Sequence, residues 1–106
     1  MIQFKKVYLP GIVFYPQLRC VYTRDGTRRL KLSKRGTDLL EALALCKGML
    51  VTNDMLIAIA YGRHGCRATV PTLRSAMFRF RSKLKCFADR IDIRHVRNFG
   101  YKLVAV

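Results

Sequence analysis

Apolar residues recur with two different periods along this chain, and the change of period divides it. Through Leu32 the pattern alternates and is cut by turns: "QFKKVYL", then Pro10-Gly11, "IVFY", Pro16 and "LRCVYTRDGTRRLKL". Short alternating runs punctuated by Pro and Gly predict strands of an antiparallel sheet. Asp25-Gly26 stands between two such runs and predicts a two-residue hairpin turn, because both positions tolerate positive φ.

From Ser33 the spacing becomes helical. Leu39, Leu40, Leu43 and Cys46 fall on one face, Ser33 is placed to cap the start, and Gly48 closes the helix with Lys47 in the last turn. A second, shorter helix follows in "VTNDMLIAIAYG", with Thr52 as N-cap, Asp54 near the positive helix end, Met55, Leu56, Ile59 and Ala60 as its apolar face, and a closing Gly62. After the basic loop "RHGCRAT", Pro71 suits the first turn of a third helix, 71–86, where its missing N–H is no loss. Two alternating runs around Asn98 to Gly100 then predict a C-terminal hairpin. The expected class is α+β, in one domain over 1–106: sheet 1–32, three helices 33–87 and hairpin 91–106.

Placed on a helical wheel, the third helix has two faces. Leu73, Met77, Phe80, Leu84 and Phe87 share one side with Ala76 at its margin, and Arg74, Ser75, Phe78, Arg79, Ser82 and Lys85 collect opposite, with Arg81 at the boundary. The first side is core. A solvated surface explains the polarity of the second but not its sign, since no Asp or Glu occurs from Met55 through Ala88. Exposed helices usually mix acids among their bases for i to i+4 support, whereas a helix lying among phosphates must omit carboxylates.

Charge changes the picture most. Against 21 Lys and Arg stand only 6 Asp and Glu, a net +15 in 106 residues, well beyond the magnitude of about 2 to 8 that suits a small soluble domain. Such an excess implies a polyanionic partner. No apolar run approaches the roughly 18 residues of a spanning helix, and "MIQFKKVYLPG" lacks a secretory h-region, so a cytoplasmic, nucleoid-associated protein without membrane contact is expected. With 51 % hydrophobic residues, a folded core is within reach.

Catalysis and metal binding find little support. Cys20, Cys46, Cys66 and Cys86 lie 20 or more positions apart and read as reduced thiols. His64 and Cys66 could supply two metal ligands, but two more would be needed and flanking arginines repel a cation. His95 and the pair Asp89 and Asp92 fit no hydrolase spacing. No enzyme, cofactor or metal is expected.

Two helices joined by a loop, the second basic, and a trailing hairpin describe a winged helix-turn-helix. The sequence resembles the C-terminal DNA-binding (effector) domain of bacterial OmpR/PhoB-type response regulators, over roughly Val13 to Val104. The resemblance rests on "RDGTRRLKLS" before helix one, Leu39-Leu40, Val51-Thr52 leading into helix two, "FRFRSKL" closing helix three, and "VRNFGYKL" where the family has a V-R-G-x-G-Y-type motif. It implies a sequence-specific double-stranded-DNA-binding transcription regulator. Arg79 and Arg81 match basic positions facing the major groove, Thr72 a phosphate-binding threonine, Arg97 the wing arginine of the minor groove, and Tyr101 the wing tyrosine near phosphate. It further implies tandem homodimers on direct repeats, with RNA polymerase or a regulatory protein as partner. Arginine chemistry agrees, since its fork fits guanine O6 and N7, and narrow A·T-rich minor grooves attract guanidinium.

With the residues' own chemistry, the expected major-groove set is Arg74, Ser75, Phe78, Arg79, Arg81, Ser82 and Lys85, with Arg97 for the minor groove. Lys34, Arg63, Arg67, Thr72, His95, Tyr101 and Lys102 are the expected phosphate contacts. Several positions depart from the family: Gly36 and Thr37 replace a glutamate and an aromatic, Asn98 replaces the first wing glycine, and Ala76 and Phe78 stand where polar or basic residues are common. No receiver domain is expected within this length. A nonspecific nucleoid-type or RNA-binding protein is the alternative, since +15 and aromatics such as Phe78, Phe99 and Tyr101 would serve it equally.

Overall fold

Four short antiparallel strands open the fold: β1 (Val7–Leu9), β2 (Ile12–Tyr15), β3 (Cys20–Thr23) and β4 (Arg29–Lys31), in the order β1-β2-β3-β4. This is a computed structural model, and it describes residues 3–62 and 68–106. Three helices follow, α1 (Lys34–Leu45), α2 (Asn53–Tyr61) and α3 (Val70–Phe87), and the chain ends in the hairpin β6 (Ile91–Val96) and β7 (Gly100–Ala105). The arrangement is α+β, a winged helix-turn-helix behind an N-terminal sheet, as the periodicity predicts.

Each helix starts where a hydroxyl can accept an otherwise unpaired backbone N–H. Ser33 Oγ accepts from Gly36 N–H at 3.0 Å, Thr52 Oγ1 from Met55 N–H at 3.3 Å, and Thr69 Oγ1 from Thr72 N–H at 3.4 Å. Gly36 and Thr37, the two departures from the family at this start, both fit it. Thr37 Oγ1 donates to Ser33 O at 2.9 Å, and a Cβ on Gly36 would lie 3.3 Å from the Phe80 ring, so glycine here lets α3 approach α1.

Several boundaries and faces differ from expectation. The Asp25-Gly26 turn is not a two-residue loop: Thr23 N–H bonds to Arg28 O, and residues 24–27 form a four-residue loop with positive φ at Gly26 alone among its members. Asp25 supplies a carboxylate in place of the second left-handed residue. It accepts from Thr23 Oγ1 at 2.6 Å, Thr27 Oγ1 at 2.8 Å and Thr27 N–H at 3.0 Å, and these bonds, that of Thr23 first, hold its pKa down to about 2. Helix α1 stops at Leu45, and Lys47 and Gly48 lie beyond it with φ of 49° and 83°. Helix α2 buries Leu56 and Tyr61 and leaves Met55 and Ile59 exposed. Its apolar run is nearly continuous, so sequence spacing could not choose the face.

An additional strand, β5 (Val51–Thr52), has no periodic signal because it is two residues long. It pairs with β7, Val51 opposite Tyr101 and Thr52 opposite Gly100, completing a second sheet β5-β7-β6. One buried cluster joins Phe14 and Val21 of the first sheet, Leu39, Leu40 and Leu43 of α1, Leu73, Met77, Phe80 and Leu84 of α3, and Ile91, Ile93 and Leu103 of the hairpin.

The β5 to β7 contact admits no side chain at residue 100. A Cβ on Gly100 would collide with Val51 O and come within 2.9 Å of Thr52 Cα. Gly100→Ala is expected to destabilise the fold by about 3 kcal/mol, at the upper end of overpacking costs because the obstacle is backbone. Thermal unfolding of the variant checks this, and an unchanged midpoint would contradict it.

Candidate nucleic-acid interface

Helix α3 is anchored on one side. Leu73, Met77, Phe80 and Leu84 are buried, as the wheel predicts, and Phe87 is half-buried with the Arg28 guanidinium 5.2 Å from its ring centre. With that stripe fixed, Arg74, Ser75, Phe78, Arg79, Ser82 and Lys85 all emerge exposed. Phe78 keeps 71 % of its surface in solvent, so it does not pack against the hairpin.

Arg81 is the exception on this helix, because it is half-buried and paired within the protein. Its Nε donates to Asp92 Oδ1 at 3.0 Å and its Nη2 to Asp92 Oδ2 at 3.1 Å, a two-pronged pair across to β6. Asp92 Oδ1 also accepts from Ile93 N–H at 2.8 Å. The pair joins helix to wing, while the Arg81 side chain keeps 43 % of its surface exposed. The bond from Arg81 holds the Asp92 carboxyl below its usual range and raises the Arg81 guanidinium in turn. Asp92 is therefore a structural carboxylate.

The wing tip is a three-residue loop, Arg97-Asn98-Phe99, closed by Phe99 N–H to Val96 O at 3.0 Å. Asn98 takes φ of 68°, the left-handed conformation that this kind of turn requires at its third position and that Asn adopts more readily than most residues. Arg97 and Phe99 are exposed. A hydrogen bond from Asn53 N–H to Phe99 O, 2.9 Å, ties the tip to the start of α2.

Tyr101 departs from expectation. It is only 5 % exposed and belongs to the core cluster, its ring stacked on exposed His95 at 4.6 Å and 20°. Burial pushes its hydroxyl pKa up, partly offset by the Arg74 charge. Its ring backs His95 instead of reaching outward as an exposed aromatic. The influence of Arg74 on Tyr101, and of Lys85 on Asp92, identifies the Arg74–Arg81–Lys85 edge of α3 as the edge beside the wing.

Among the remaining expected contacts, Thr72 and Lys34 are exposed at the starts of α3 and α1, and Lys102 is half-buried on β7. Arg63 and Arg67 lie outside the described residues. Two basic residues escaped the sequence reading, Arg35 and Lys83. With Lys34 and Arg79 they line a cleft of about 460 Å³ between the start of α1, α2 and α3, and the Arg35 guanidinium sits 4.2 Å from the Tyr61 ring centre. Only the tertiary fold brings these four cations together, so no sequence spacing signals them. Among the described residues no group of His, Cys, Asp and Glu could hold a metal ion, and no helix is long and apolar enough to cross a membrane.

Comparison with known proteins bears on this arrangement. Residues 26–103 match the family model described as "Transcriptional regulatory protein, C terminal". No curated protein matches the chain. The DNA-binding domain of Escherichia coli CadC is similar in structure, with a TM-score of 0.80 at 23 % identity, over 98 % of this chain and 96 % of that one. The Klebsiella pneumoniae RstA DNA-binding domain, solved in complex with the RstA box, gives 0.72 at 27 % identity over 94 % and 97 % of the two chains. The DNA-binding domain of Bacillus subtilis CssR gives 0.68 at 22 % identity, over 83 % and 93 %.

The Arg81–Asp92 pair has a defined pH signature. The carboxyl pKa is lowered from 3.8 by folding, so the pair's contribution is fully present above pH 3.8 and is lost as pH falls through the lower folded-state value. Asp92→Asn is expected to lower stability by about 0.5 to 1 kcal/mol at pH 7, given the partial exposure of both groups. Urea titrations at pH 7 and in acid measure this. The difference from wild type should vanish in acid, and a difference constant with pH would disprove the assignment.

Proposed function

The chain belongs to the family of transcriptional regulatory protein C-terminal domains, and from that premise we propose how it engages DNA. It is a double-stranded-DNA-binding regulator of transcription, and α3 is its recognition helix, lying in the major groove. Ser75, Phe78, Arg79 and Ser82 form the crest facing base edges, Arg79 as the bidentate reader of guanine and Phe78 as the cover for a thymine methyl or sugar. Arg74 and Lys85 flank that crest on the wing side, where Arg97 enters the adjacent minor groove.

Lys34, Thr72, His95 and Lys102 meet backbone phosphates, which set register without reading sequence. Arg63 and Arg67 are assigned the same role from the sequence alone. Arg35 and Lys83 join them from the cleft beside α1. Arg81 positions the wing, and Tyr101 orients His95.

The observation carrying this reading is the emergence of an acid-free face on α3, anchored by the buried Leu73, Met77, Phe80 and Leu84 opposite and flanked by an exposed wing arginine. The RstA relative, solved with its box, supports duplex DNA as the ligand. Two protomers on a direct repeat, contact with RNA polymerase or a regulatory partner, and a cytoplasmic location complete the proposal. The family is one of regulators and not an enzyme class, and no catalytic role is assigned to any residue.

Fluorescence anisotropy with a selected operator and with random duplex tests it. If about six phosphates are neutralised per protomer, log K should fall against log salt with a slope near −5. Arg79→Ala should cost about 1 to 3 kcal/mol on the operator and relax the requirement at one base pair, whereas Lys102→Ala should weaken all sequences alike. A wild-type preference for operator over random duplex below about tenfold would instead favour a nonspecific architectural protein.

A further inference from the structure

The first sheet has a second face. Side chains alternate along each strand, so residues paired in register share a side. Val7, Phe14, Val21 and Leu30 form one cross-strand row and turn to the helices. The opposite side carries the row Tyr8, Val13, Tyr22 and Arg29, and next to it Tyr15, Cys20 and Lys31.

This outer side is neither plainly solvated nor part of the core. Val13 and Cys20 are 8 % and 5 % exposed, yet neither belongs to the core cluster; in register Val13 lies between Tyr8 and Tyr22, and Cys20 between Tyr15 and Lys31. Tyr15 and Tyr22 meet edge to face at 5.5 Å. Tyr8 is 61 % exposed, and the Arg24 guanidinium lies 5.3 Å from its ring centre while donating to Leu9 O at 3.0 Å. Arg29 and Lys31 are exposed at the β4 edge. Neither row contains an acid, and Asp25 beside them is turned into its own loop by Thr23 and Thr27.

We propose that this face binds single-stranded nucleic acid, with bases stacking on the Tyr8–Arg24 pair and on Tyr22 while phosphates meet Arg29 and Lys31. Aromatic rings on a sheet with cations at its margin suit planar bases linked by phosphates. A duplex hides its base faces and could use only the cations. An acidic protein segment would use the charge, but its anchoring side chains need pockets, and the middle of this face is already filled by Val13 and Cys20. The surface is separate from α3, so this proposal and the duplex reading stand or fall independently.

The chain has five tyrosines and no tryptophan, and three of the five lie on this face, so intrinsic tyrosine emission reports on it directly. Oligo(dT) of about 12 nucleotides, within the usual site size for such platforms, is expected to quench that emission. Tyr8→Ala and Arg29→Ala, both at exposed positions, should each weaken oligo(dT) binding about tenfold while leaving operator duplex binding unchanged, which also shows that the variants are folded. Arg79→Ala should do the reverse. Absence of quenching, or loss of oligo(dT) binding with Arg79→Ala and not with Tyr8→Ala, would overturn the proposal. So would displacement of labelled oligo(dT) by polyglutamate of equal charge as readily as by unlabelled oligo(dT), because the face would then recognise charge without bases.

Discussion

Burial of Leu73, Met77, Phe80 and Leu84 fixes the rotation of α3 about its axis, and the exposed basic face takes its geometry from that constraint. Each such side chain is worth about 1.5 to 3 kcal/mol when removed from water, so four together outweigh any single unfavourable exposure on the far side. This is why Phe78 can stay in solvent: turning the helix to cover it would uncover residues that are wholly buried. The same rotation brings Arg74, Arg81 and Lys85 to the edge beside the wing. Gly36 works toward the same end by letting the Phe80 ring settle on the first turn of α1.

A chain carrying +15 must also limit its self-repulsion, and its few acids are used locally. Asp25 organises the β3 to β4 loop, Asp54 sits in the first turn of α2 where the helix dipole favours a negative charge, and Asp92 takes up the one guanidinium of α3 that is paired among the described residues. None of them dilutes the positive face of the helix. Electrostatic order here comes from where acids are withheld as much as from where bases are placed.

Much of this was legible in the sequence because it depends on period and on capping chemistry. The alternation before Leu32, the hydroxyl caps at Ser33 and Thr52 and the two faces of α3 follow from spacing alone, and "VRNFGYKL" located the wing. What escaped has physical causes. Strand β5 is too short for a period, and α2 is apolar around most of its circumference. Arg81 and Asp92 are eleven residues apart, so nothing local announces their pairing, and the inward turn of Tyr101 depends on which side of β7 faces the core. The cleft cations Arg35 and Lys83 come from different helices. In each case the missing information is a long-range contact.

The attachment of the wing bears on the proposed engagement of DNA. Val51 and Thr52 pair with β7, and the wing tip is bonded to the first residue of α2. A wing hung on its own turn would have to be immobilised on binding, at about 1 to 2 kcal/mol for each residue ordered. Here that ordering belongs to folding, so in the proposed complex the wing would reach DNA already fastened to the start of α2. On that proposal adjustment falls to the double helix, and favoured sites would carry base steps that bend or roll easily between the α3 and wing contacts, at positions no side chain touches.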